Sequence, residues 1–364
     1  MQASNPVSAQ CGVQEMSKSE ENPLITFVLL TYNQDRYVRE AVRGALSQTY
    51  SPLEIILSDD CSSDRTFDII QEVAMKYTGP HKIRINRNEK NLGIGDHVNR
   101  IMELAKGELI VGAAGDDISL PERVRKTYEA YIRSDKKALA IYSRVILIDQ
   151  KGEFKGVYER STKSQTNLLE FLTTPSNVSV LGASLTWHRK VFDVLGPLLS
   201  GSITEDRPIA FRSMILGNIE YLKEALVLWR RHPNNYTRWL KSLNYDNIMA
   251  HTLKSCKANI YVLQNHLKDL KADRVYSYID LPLKNKILAF IHEEMSLLKL
   301  EKSFIEGNFR KKLSVIIKGL KYKIKIIKLL KWSIRLFFPF LHKYYLYRIF
   351  KRRPDDFYIN ASRS

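Results

Sequence analysis

Three absences in this 364-residue sequence limit what the protein can be. It has only three cysteines, Cys11, Cys61 and Cys256, and this odd, widely spaced set argues against a secreted disulfide framework and for a reducing compartment. The first 21 residues lack the apolar core of a secretory signal. No run reaches the ~18 uncharged apolar residues that a membrane-spanning helix needs. We therefore expect a chain that does not cross a membrane.

Both common phosphate-binding loops are also missing. The sequence has no Gly-x-x-x-x-Gly-Lys segment and no Gly-x-Gly-x-x-Gly after its first predicted strand. A bound diphosphate would therefore need another source of positive charge. A divalent cation held by carboxylates supplies one, because Mg²⁺ and Mn²⁺ take oxygen ligands and bridge them to substrate phosphates.

The net charge of +18 is concentrated in the C-terminal tail. Fifteen of the 57 Lys and Arg lie between Arg310 and Arg353, where no Asp or Glu occurs, which leaves 42 basic against 39 acidic residues elsewhere. Only the tail therefore needs an explanation for its basicity. With 44% hydrophobic and 26% charged residues the composition is that of a globular protein, which argues against wholesale disorder.

From Pro23 to about Ile148, short apolar runs alternate with helical patterns, which predicts βαβ units around a largely parallel sheet. The predicted strands are 25–30, 54–57, 82–86 and 108–111. Residues 149–202 mix Gly, Ser and Thr with aromatics and predict no definite element, as expected of a region that shapes a substrate cleft. Residues from about 245 to 300 are predicted to be helical.

Polar residues follow three of these predicted strands, at Thr31-Tyr32-Asn33, Asp59-Asp60 and Asp116-Asp117. In open α/β sheets, ligands bind outside the carboxyl ends of the strands, where such loops converge. Asp116 and Asp117 suit a divalent cation bound to a diphosphate. The alternative is that the two acids only make a polar turn before the next helix.

Three segments of the sequence closely resemble the family 2 glycosyltransferases of the GT-A fold. They are ITFVLLTYNQDRYVREAVRGALSQTYSPLEIILSDDCSSDRTFDII at 25–70, NLG at 91–93 and GELIVGAAGDDISLPERV at 107–124. The resemblance implies an α/β fold class, with a GT-A type Rossmann-like nucleotide-binding domain around a mostly parallel central sheet. It also implies inverting transfer from a nucleotide-sugar donor, expected to be a UDP-sugar, with Mn²⁺ or Mg²⁺ as cofactor.

The resemblance also implies roles for residues at the first two strand ends. Thr31 and Tyr32 match the start of the nucleotide pocket, and Asp60 matches the carboxylate that accepts a hydrogen bond from the base. Asp59 is placed beside it in the nucleotide site. For Asp59 the alternative is that its carboxylate only caps the loop.

At the third strand end, Asp116 and Asp117 match the family's Asp-x-Asp type motif in its Asp-Asp form. Asp117 is expected to be the principal metal ligand, and Asp116 a ribose contact or second metal ligand. The segment from Trp229 to Asn235 resembles one that closes the catalytic domain near the diphosphate. Within it Arg231 is expected to contact the diphosphate, and His232 the diphosphate or the metal, with a purely structural histidine as the alternative.

The acidic pair Glu205-Asp206 resembles the family segment that supplies the general base of an inverting transfer. We expect Asp206 to take the proton of the acceptor hydroxyl, with Glu205 as the second candidate. The alternative is that either acid only caps the helix that follows, where a negative charge is favourable. For Trp187 and His188 a place in the core is preferred over a place in the acceptor site.

The sequence departs from the family pattern at two positions. Cys61 stands where the Asp-Asp motif is usually followed by Gly, which predicts an altered turn. His97-Val98-Asn99 replaces the usual Ala-Arg-Asn after the Asn-x-Gly loop, which removes a basic residue that can contact the donor phosphate or base.

The basic tail carries an aliphatic stripe at helical spacing beside a basic one. The aliphatic stripe runs from Ile316 to Ile334 and the basic one from Lys318 to Arg335. Helices of this kind bind anionic membrane surfaces, so we expect a cytoplasmic protein held peripherally at the inner face of the cell membrane. The alternatives are nucleic-acid binding, which is disfavoured because the stripe would have no use there, and a helix docked on the catalytic domain.

These patterns together predict four regions: a disordered tail at 1–22, a catalytic domain at 23–240, a helical region at 241–309 and the membrane-associating tail at 310–364. The predicted function is sugar transfer to a hydroxyl of a lipid-linked or cell-surface glycan, as in lipopolysaccharide or capsule synthesis. Transfer to a polyprenyl phosphate is the enzymatic alternative. A non-catalytic membrane-binding or nucleic-acid-binding protein is the other.

Overall fold

A computed structural model of the protein describes residues 22–159, 167–173, 180–232, 235 and 245–321. Residues 1–21 of the predicted N-terminal tail and the basic tail beyond residue 321 lie outside the described residues. The strands are β1 (Ile25–Thr31), β2 (Leu53–Asp59), β3 (Lys82–Arg87), β4 (Leu109–Ala114), β5 (Ile118–Ser119), β6 (Ala138–Asp149), β7 (Phe154–Tyr158), β8 (Thr186–His188) and β9 (Asn218–Arg231).

The helices of the described residues complete an α/β fold. They are α1 (Val38–Leu46), α2 (Thr66–Met75), α3 (Ile94–Leu104), α4 (Arg123–Arg133), α5 (Leu168–Thr173), α6 (Lys190–Leu195), α7 (Asp206–Leu216), α8 (Tyr245–Lys271), α9 (Leu281–Glu306) and α10 (Phe309–Lys321). A 3-10 turn at Gly182–Ser184 precedes β8.

The nine described strands form one sheet in the order β3-β2-β1-β4-β8-β6-β9-β5. The remaining strand, β7, pairs with the second half of β6, along the edge that the first half of β6 shares with β8. The four predicted strands form the parallel half, β3-β2-β1-β4. The other half is mixed: β8 runs antiparallel to both β4 and β6, whereas β6 and β9 are parallel. The parallel half brings the ends of β1, β2 and β4 to one edge of the sheet.

Helices cover both faces of this sheet, so its central strands are buried on both sides. On one face α1, α2 and α4 pack on residues such as Phe27, Ile55 and Val111. On the other, α3 and α7 pack on Val28 and Ile110. These side chains are at most 1% exposed, and burying one of them contributes about 1.5–3 kcal/mol. Strands buried on both faces have near-continuous apolar sequences, which is why they were predictable.

The C-terminal helices share this second core. Leu263, Leu267 and Leu270 of α8 and Ile287 and Ile291 of α9 belong to the same buried cluster as the sheet-facing residues of α7. The region predicted as a separate helical segment therefore packs directly against the α/β unit.

The first turns of the predicted tail form α10, which docks on α9. Val315 and Ile316 are buried against Phe304, whereas Ile317 is 58% exposed. The described part of the tail thus corresponds to the docked-helix alternative. Within the ranges described, no helix is both long and apolar enough to span a bilayer.

Candidate active site

Thr31 and Tyr32 lie at the carboxyl end of β1. The buried Thr31 hydroxyl donates to the Ser58 carbonyl (3.1 Å) and to Asp59 Oδ1 (3.2 Å), which ties the end of β1 to β2. The ring of Tyr32 is 46% exposed. Of the two residues at the end of β1 that were predicted to contact the nucleotide, Tyr32 is therefore the one whose side chain is exposed enough to contact a base.

Asp59 and Asp60 follow β2 but have different surroundings. Asp59 is fully buried and accepts from the backbone N–H of Ser62 (2.8 Å) and from the Ser62 and Thr31 hydroxyls. Arg87 Nε lies 3.7 Å from Asp59 Oδ2. These are the contacts of the loop-capping alternative, because they engage both carboxylate oxygens inside the protein.

Asp60 joins the end of β2 to the Asn-x-Gly loop. Its Oδ1 accepts from Asn88 Nδ2 (2.8 Å) and from the N–H of Leu92 (2.9 Å), and its Oδ2 accepts from the N–H of Gly93 (2.9 Å). Three donors fix the carboxylate where the predicted base pocket begins. Each oxygen has two lone pairs, so Oδ2 keeps one for a ligand.

A buried histidine lies behind Asp60, where the sequence departs from the family pattern. His97 Nε2 is 2.7 Å from the Ser58 hydroxyl oxygen, which also accepts from Asn86 Nδ2 (2.9 Å). Burial lowers the pKa of His97 despite the charges of Asp60 and Asp59. The neighbouring Val98 is fully buried and carries no charge. Neither residue therefore provides a positive charge at this position.

Asp116 and Asp117 follow β4, but only one of them is accessible. Asp117 is 4% exposed, and its Oδ1 accepts from the backbone N–H of Arg230 (2.9 Å). Burial foremost, and then the neighbouring charge of Asp116, hold the pKa of Asp117 well above its usual range. Asp116 Oδ2 instead lies 3.0 Å from His232 Nε2 and accepts from Asn235 Nδ2 (3.1 Å). The expected roles, with Asp117 as the principal metal ligand and Asp116 as its neighbour, stay a prediction, and Asp116 is the more exposed of the two carboxylates.

His232 follows β9 and faces a cavity. Its ring centroid is 4.6 Å from that of Tyr37, at the start of α1. A cavity of about 460 Å³ lies there, lined by Asn33, Gln34, Asp35, Arg36, Tyr37, Asp64, Gln150 and His232. It is bounded by the β1–α1 loop and the end of β9, which places it beside the Asp116 carboxylate.

Arg230, which was not predicted as a site residue, is the buried arginine of this region. Its Nε donates to the Asp116 carbonyl (3.0 Å), its guanidinium pairs with Glu40, and it lies 4.9 Å from the centre of the Tyr37 ring. The predicted Arg231 instead lies over the Trp229 ring at 4.5 Å. Two adjacent arginines in a strand point to opposite faces, and the sequence does not show which one points inward.

Asn235 was also missed as a site residue. It donates to Asp116 and to the Arg230 carbonyl (3.0 Å), and its Oδ1 accepts from the His232 N–H. The sequence carries a signal for it, because Asn235 ends the segment from Trp229 that resembles the family.

Glu205 and Asp206 lie side by side at the start of α7, next to Gly182. Asp206 Oδ1 accepts from its neighbour's N–H, that of Arg207 (2.7 Å), and from the Thr204 hydroxyl. Burial and the adjacent Asp206 raise the pKa of Glu205 to about 8. The raised pKa makes Glu205 the weaker of the two candidates for a base at neutral pH.

Trp187 and His188 of β8 lie where the core interpretation placed them. Trp187 is 2% exposed, and its Nε1 donates to the sulfur of Met102 (3.4 Å). His188 Nε2 is 3.4 Å from Glu108 Oε1. Neither contacts the Asp116 cluster in the hydrogen bonds of the described residues.

The donors around Asp116 suit a cation that takes most of its ligands from elsewhere. Across the parts of the chain that the structure describes, no three His, Cys, Asp or Glu side chains converge as a complete metal site. Mg²⁺ and similar hard cations do not require one, since they use one or two carboxylates together with waters and substrate phosphates. The partly exposed carboxylate of Asp116 lies beside a cavity and can therefore serve as one such carboxylate ligand.

Residues 26–195 match the sequence profile described as Glycosyl transferase family 2. The matched segment is just under half of the chain and is similar to a family 2 glycosyltransferase domain. The matched region includes β1 to β4, Asp60 and the Asp116 pair, and ends before α7.

Relatives along the sequence are described as uncharacterized glycosyltransferases. One from Haemophilus influenzae is 26% identical over 340 residues, which cover 89% of this chain and 98% of that protein. One from Rickettsia felis is 28% identical over 62% of this chain, and one from Nostoc is 27% identical over 58%. The chain spans 37% of the Rickettsia protein's length and 66% of the Nostoc protein's.

Two solved structures share the fold. TarS from S. aureus, residues 1–349 in complex with UDP-GlcNAc, superposes with a TM-score of 0.55 at 16% identity, over 80% of each chain. The mannosyltransferase PcManGT from Pyrobaculum calidifontis, in complex with GDP-Man and Mn²⁺, gives 0.51 at 14% identity, over 92% of this chain and 88% of that one. The GT-A type fold predicted from the sequence is thereby confirmed.

Proposed function

We propose that the protein transfers a sugar from a nucleoside diphosphate donor to an acceptor hydroxyl. The observation that carries this proposal is the Asp116 carboxylate, held by His232 and Asn235 beside the cavity at the carboxyl ends of the strands. Ligands of open α/β sheets bind at this edge. The presence of UDP-GlcNAc in TarS and of GDP-Man with Mn²⁺ in PcManGT supports a sugar nucleotide as the ligand here.

The nucleotide is assigned to the ends of β1 and β2. Tyr32 offers an exposed ring for the base, and Asp60 offers the remaining acceptor site of a carboxylate already fixed by three donors. A carboxylate acceptor suits the N–H of uracil, so a UDP-sugar is the donor we propose. Thr31 and Asp59 support this pocket through the hydrogen bonds that tie β1 to β2.

A divalent cation is assigned to Asp116, with His232 beside it. When bound there, the cation supplies positive charge that neutralises the diphosphate. The chain has no Gly-rich phosphate-binding loop that could do so. Asp117 is assigned a supporting role, because its buried Oδ1 holds the backbone of Arg230. Arg230 in turn fixes the Asp116 carbonyl. The diphosphate contact expected of Arg231 stays a prediction, because its guanidinium lies over the Trp229 ring.

The transfer itself is assigned to Asp206. The acceptor oxygen attacks the anomeric carbon from the side opposite the diphosphate, the bond from that carbon to the diphosphate oxygen breaks, and Asp206 takes the acceptor proton. Attack from the opposite side inverts the anomeric configuration. The raised pKa of the adjacent Glu205 makes that residue the weaker candidate for the base.

The acceptor is proposed to be a lipid-linked or cell-surface glycan met at an anionic membrane surface. The support is the composition of the tail, with ten Lys and Arg and no acid between Lys323 and Arg353. Such a surface would be the inner face of the cell membrane.

Thermal unfolding with nucleoside diphosphates tests the donor site. In the presence of Mn²⁺, UDP is expected to raise the melting temperature of the wild type more than GDP does. The same UDP concentration should give no stabilisation in Asp116→Ala, whose unliganded melting temperature serves as the control for folding. A wild-type melting temperature that responds to neither nucleotide would contradict the proposal.

A further inference from the structure

The segment Gly196–Thr204 leads from α6 to α7 and presents Glu205 and Asp206. It contains no helix or strand, and Gly196 and Gly201 have φ angles of 72° and 78°. Its position therefore depends on the contacts that neighbouring helices make with it. We refer to it below as the 196–204 segment.

Helix α3 holds the segment from one side through its first two turns. Asn99 makes a reciprocal pair with the backbone of Leu198, donating to its carbonyl (3.0 Å) and accepting from its N–H (2.7 Å). Asp96 Oδ2 accepts from the Ser200 hydroxyl (2.9 Å) and from the N–H of Gly201 (3.1 Å).

The approach between α3 and the segment is closest at Gly95. The Gly95 N–H donates to the Ser202 carbonyl (3.1 Å). A Cβ added at Gly95 would lie 2.5 Å from the Ser202 Cβ and 2.7 Å from the Ser202 carbonyl oxygen. Only a glycine permits this contact. The same end of α3 follows Leu92 and Gly93, whose N–H groups hold Asp60.

Helix α8 holds the segment from the other side through Asn265. This side chain is fully buried, its Oδ1 accepts from the N–H of Leu199 (2.9 Å), and its Nδ2 donates to the Ser202 hydroxyl (2.7 Å) and to the Tyr261 carbonyl (3.0 Å). Both amide hydrogens and the oxygen are engaged. Because all its hydrogen-bonding atoms are paired, the Asn265 amide stabilises this one position of the segment. Any other position would leave a buried polar atom without a hydrogen bond, which is unfavourable.

Two further contacts anchor the same stretch to α8. The buried Arg212 pairs with Asp269 at 2.8 Å and also donates to the Gly196 carbonyl (2.7 Å). Arg207, the residue after Asp206, donates to Asn259. Helix α8 therefore contacts the chain on both sides of the acidic pair.

We propose that Asn265 is a positioning residue for the acceptor-side carboxylate, so that a helix outside the matched family domain sets the geometry of catalysis. This rests on the proposed function of Asp206. Asn265 does not touch the acidic pair. It acts through Leu199 and Ser202, whose placement between α3 and α8 fixes where α7 begins.

The test compares Asn265→Ala with Gln264→Ala, a neighbouring exposed position on the same helix. With full-length protein, Mn²⁺ and UDP-sugars, release of UDP is measured at varied donor concentration. We expect kcat to fall roughly ten- to a hundredfold in Asn265→Ala, because a misplacement of about 1 Å has that effect. The donor KM and the melting-temperature shift with UDP should stay at wild-type values. Gln264→Ala should match the wild type throughout.

Ser202→Ala removes the same hydrogen bond from the segment's side and serves if Asn265→Ala fails to fold. Its kcat should fall in the same direction by a smaller factor, and the double variant should lose less than the product of the two factors, because both act on one contact. An unchanged kcat in both single variants, or a loss that appears only in the donor KM, would overturn the proposal.

Hydrogen exchange separates this inference from the proposed function. The Leu199 amide should exchange at least about tenfold faster in Asn265→Ala than in the wild type, with no change in β1, because a buried hydrogen bond that protects it is lost. Equal exchange rates would refute the anchoring whatever the enzyme does. Wild-type protein that neither binds UDP or GDP with Mn²⁺ nor releases UDP would refute the proposed function, and with it the catalytic part of the inference.

Discussion

At the scale of single residues, two adjacent aspartates have opposite environments. Asp116 faces His232 beside the cavity, whereas Asp117 turns inward to the Arg230 backbone. Adjacent residues after a strand point to different sides, and a sequence motif does not record which one is exposed. The Asp-Asp pair was therefore recognisable from the sequence, but which of its two side chains is exposed was not.

Substitution by asparagine distinguishes the two. Asp117→Asn keeps an oxygen that accepts from Arg230, so we expect the wild-type melting-temperature shift with UDP and Mn²⁺. Asp116→Asn removes the accessible charge, and we expect at least about a tenfold loss of Mn²⁺-dependent UDP affinity, as charge-assisted contacts of this kind contribute over 1.4 kcal/mol. The reverse result, loss in Asp117→Asn alone, would restore the original assignment.

The Glu205 carboxyl makes the free energy of unfolding depend on pH. Its pKa is about 8 in the fold, above its ordinary value near 4.5, so the folded state holds the proton more tightly than the unfolded state does. Its stabilising contribution is thus complete below about pH 4.5 and is lost as the pH rises through about 8. Between pH 5 and 8.5 the melting temperature should fall more in the wild type than in Glu205→Gln. Parallel curves would show that Glu205 is not responsible.

Cys61 occupies a position where the family pattern has Gly. Its φ angle is 60°, in the left-handed region, where a side chain costs roughly 1 kcal/mol relative to glycine. Cys61→Gly should raise the free energy of unfolding in urea by about 0.5–1 kcal/mol. Cys61→Ala, which keeps the Cβ, is the control and should give no such gain. A destabilised Cys61→Gly would mean that the thiol contact to the Glu89 carbonyl matters more than the backbone.

At the scale of elements, prediction succeeded where the apolar pattern was continuous. The strands predicted at 25–30 and 82–86 are observed at Ile25–Thr31 and Lys82–Arg87. Residues 149–202 gave no prediction because their elements are short. The three-residue β8 is inserted between β4 and β6 by pairing with strands far away in the chain. Such placement is a tertiary effect that no local pattern encodes.

The contact between α7 and α8 includes a buried ion pair. Arg212 and Asp269 are both inaccessible to solvent. Removing one partner of such a pair costs about 3–5 kcal/mol, because the other charge stays buried. Asp269→Asn should therefore lower the free energy of unfolding by that amount. Replacing both residues by Met and Leu should recover most of the loss, and a double variant as unstable as Asp269→Asn would contradict this explanation.

At the scale of the whole molecule, the charge distribution separates a nearly neutral body from a basic tail. Truncation after Lys321 keeps α10 docked on α9 and removes ten Lys and Arg up to Arg353. We expect the truncated protein to lose binding to vesicles that contain anionic lipid, while its UDP-dependent thermal shift stays unchanged. Full-length protein should bind less as salt is raised. Equal vesicle binding by both proteins would refute the membrane role of the tail.

The proposed function is sugar transfer from a nucleotide donor by the Asp116 site. Its most direct test is the release of nucleoside diphosphate from a panel of UDP- and GDP-sugars, with Mn²⁺, with Mg²⁺ and with EDTA. The wild type should release UDP from at least one UDP-sugar only when a divalent cation is present, and Asp116→Ala should release none. Turnover of no sugar nucleotide, or equal turnover by Asp116→Ala, would contradict the account.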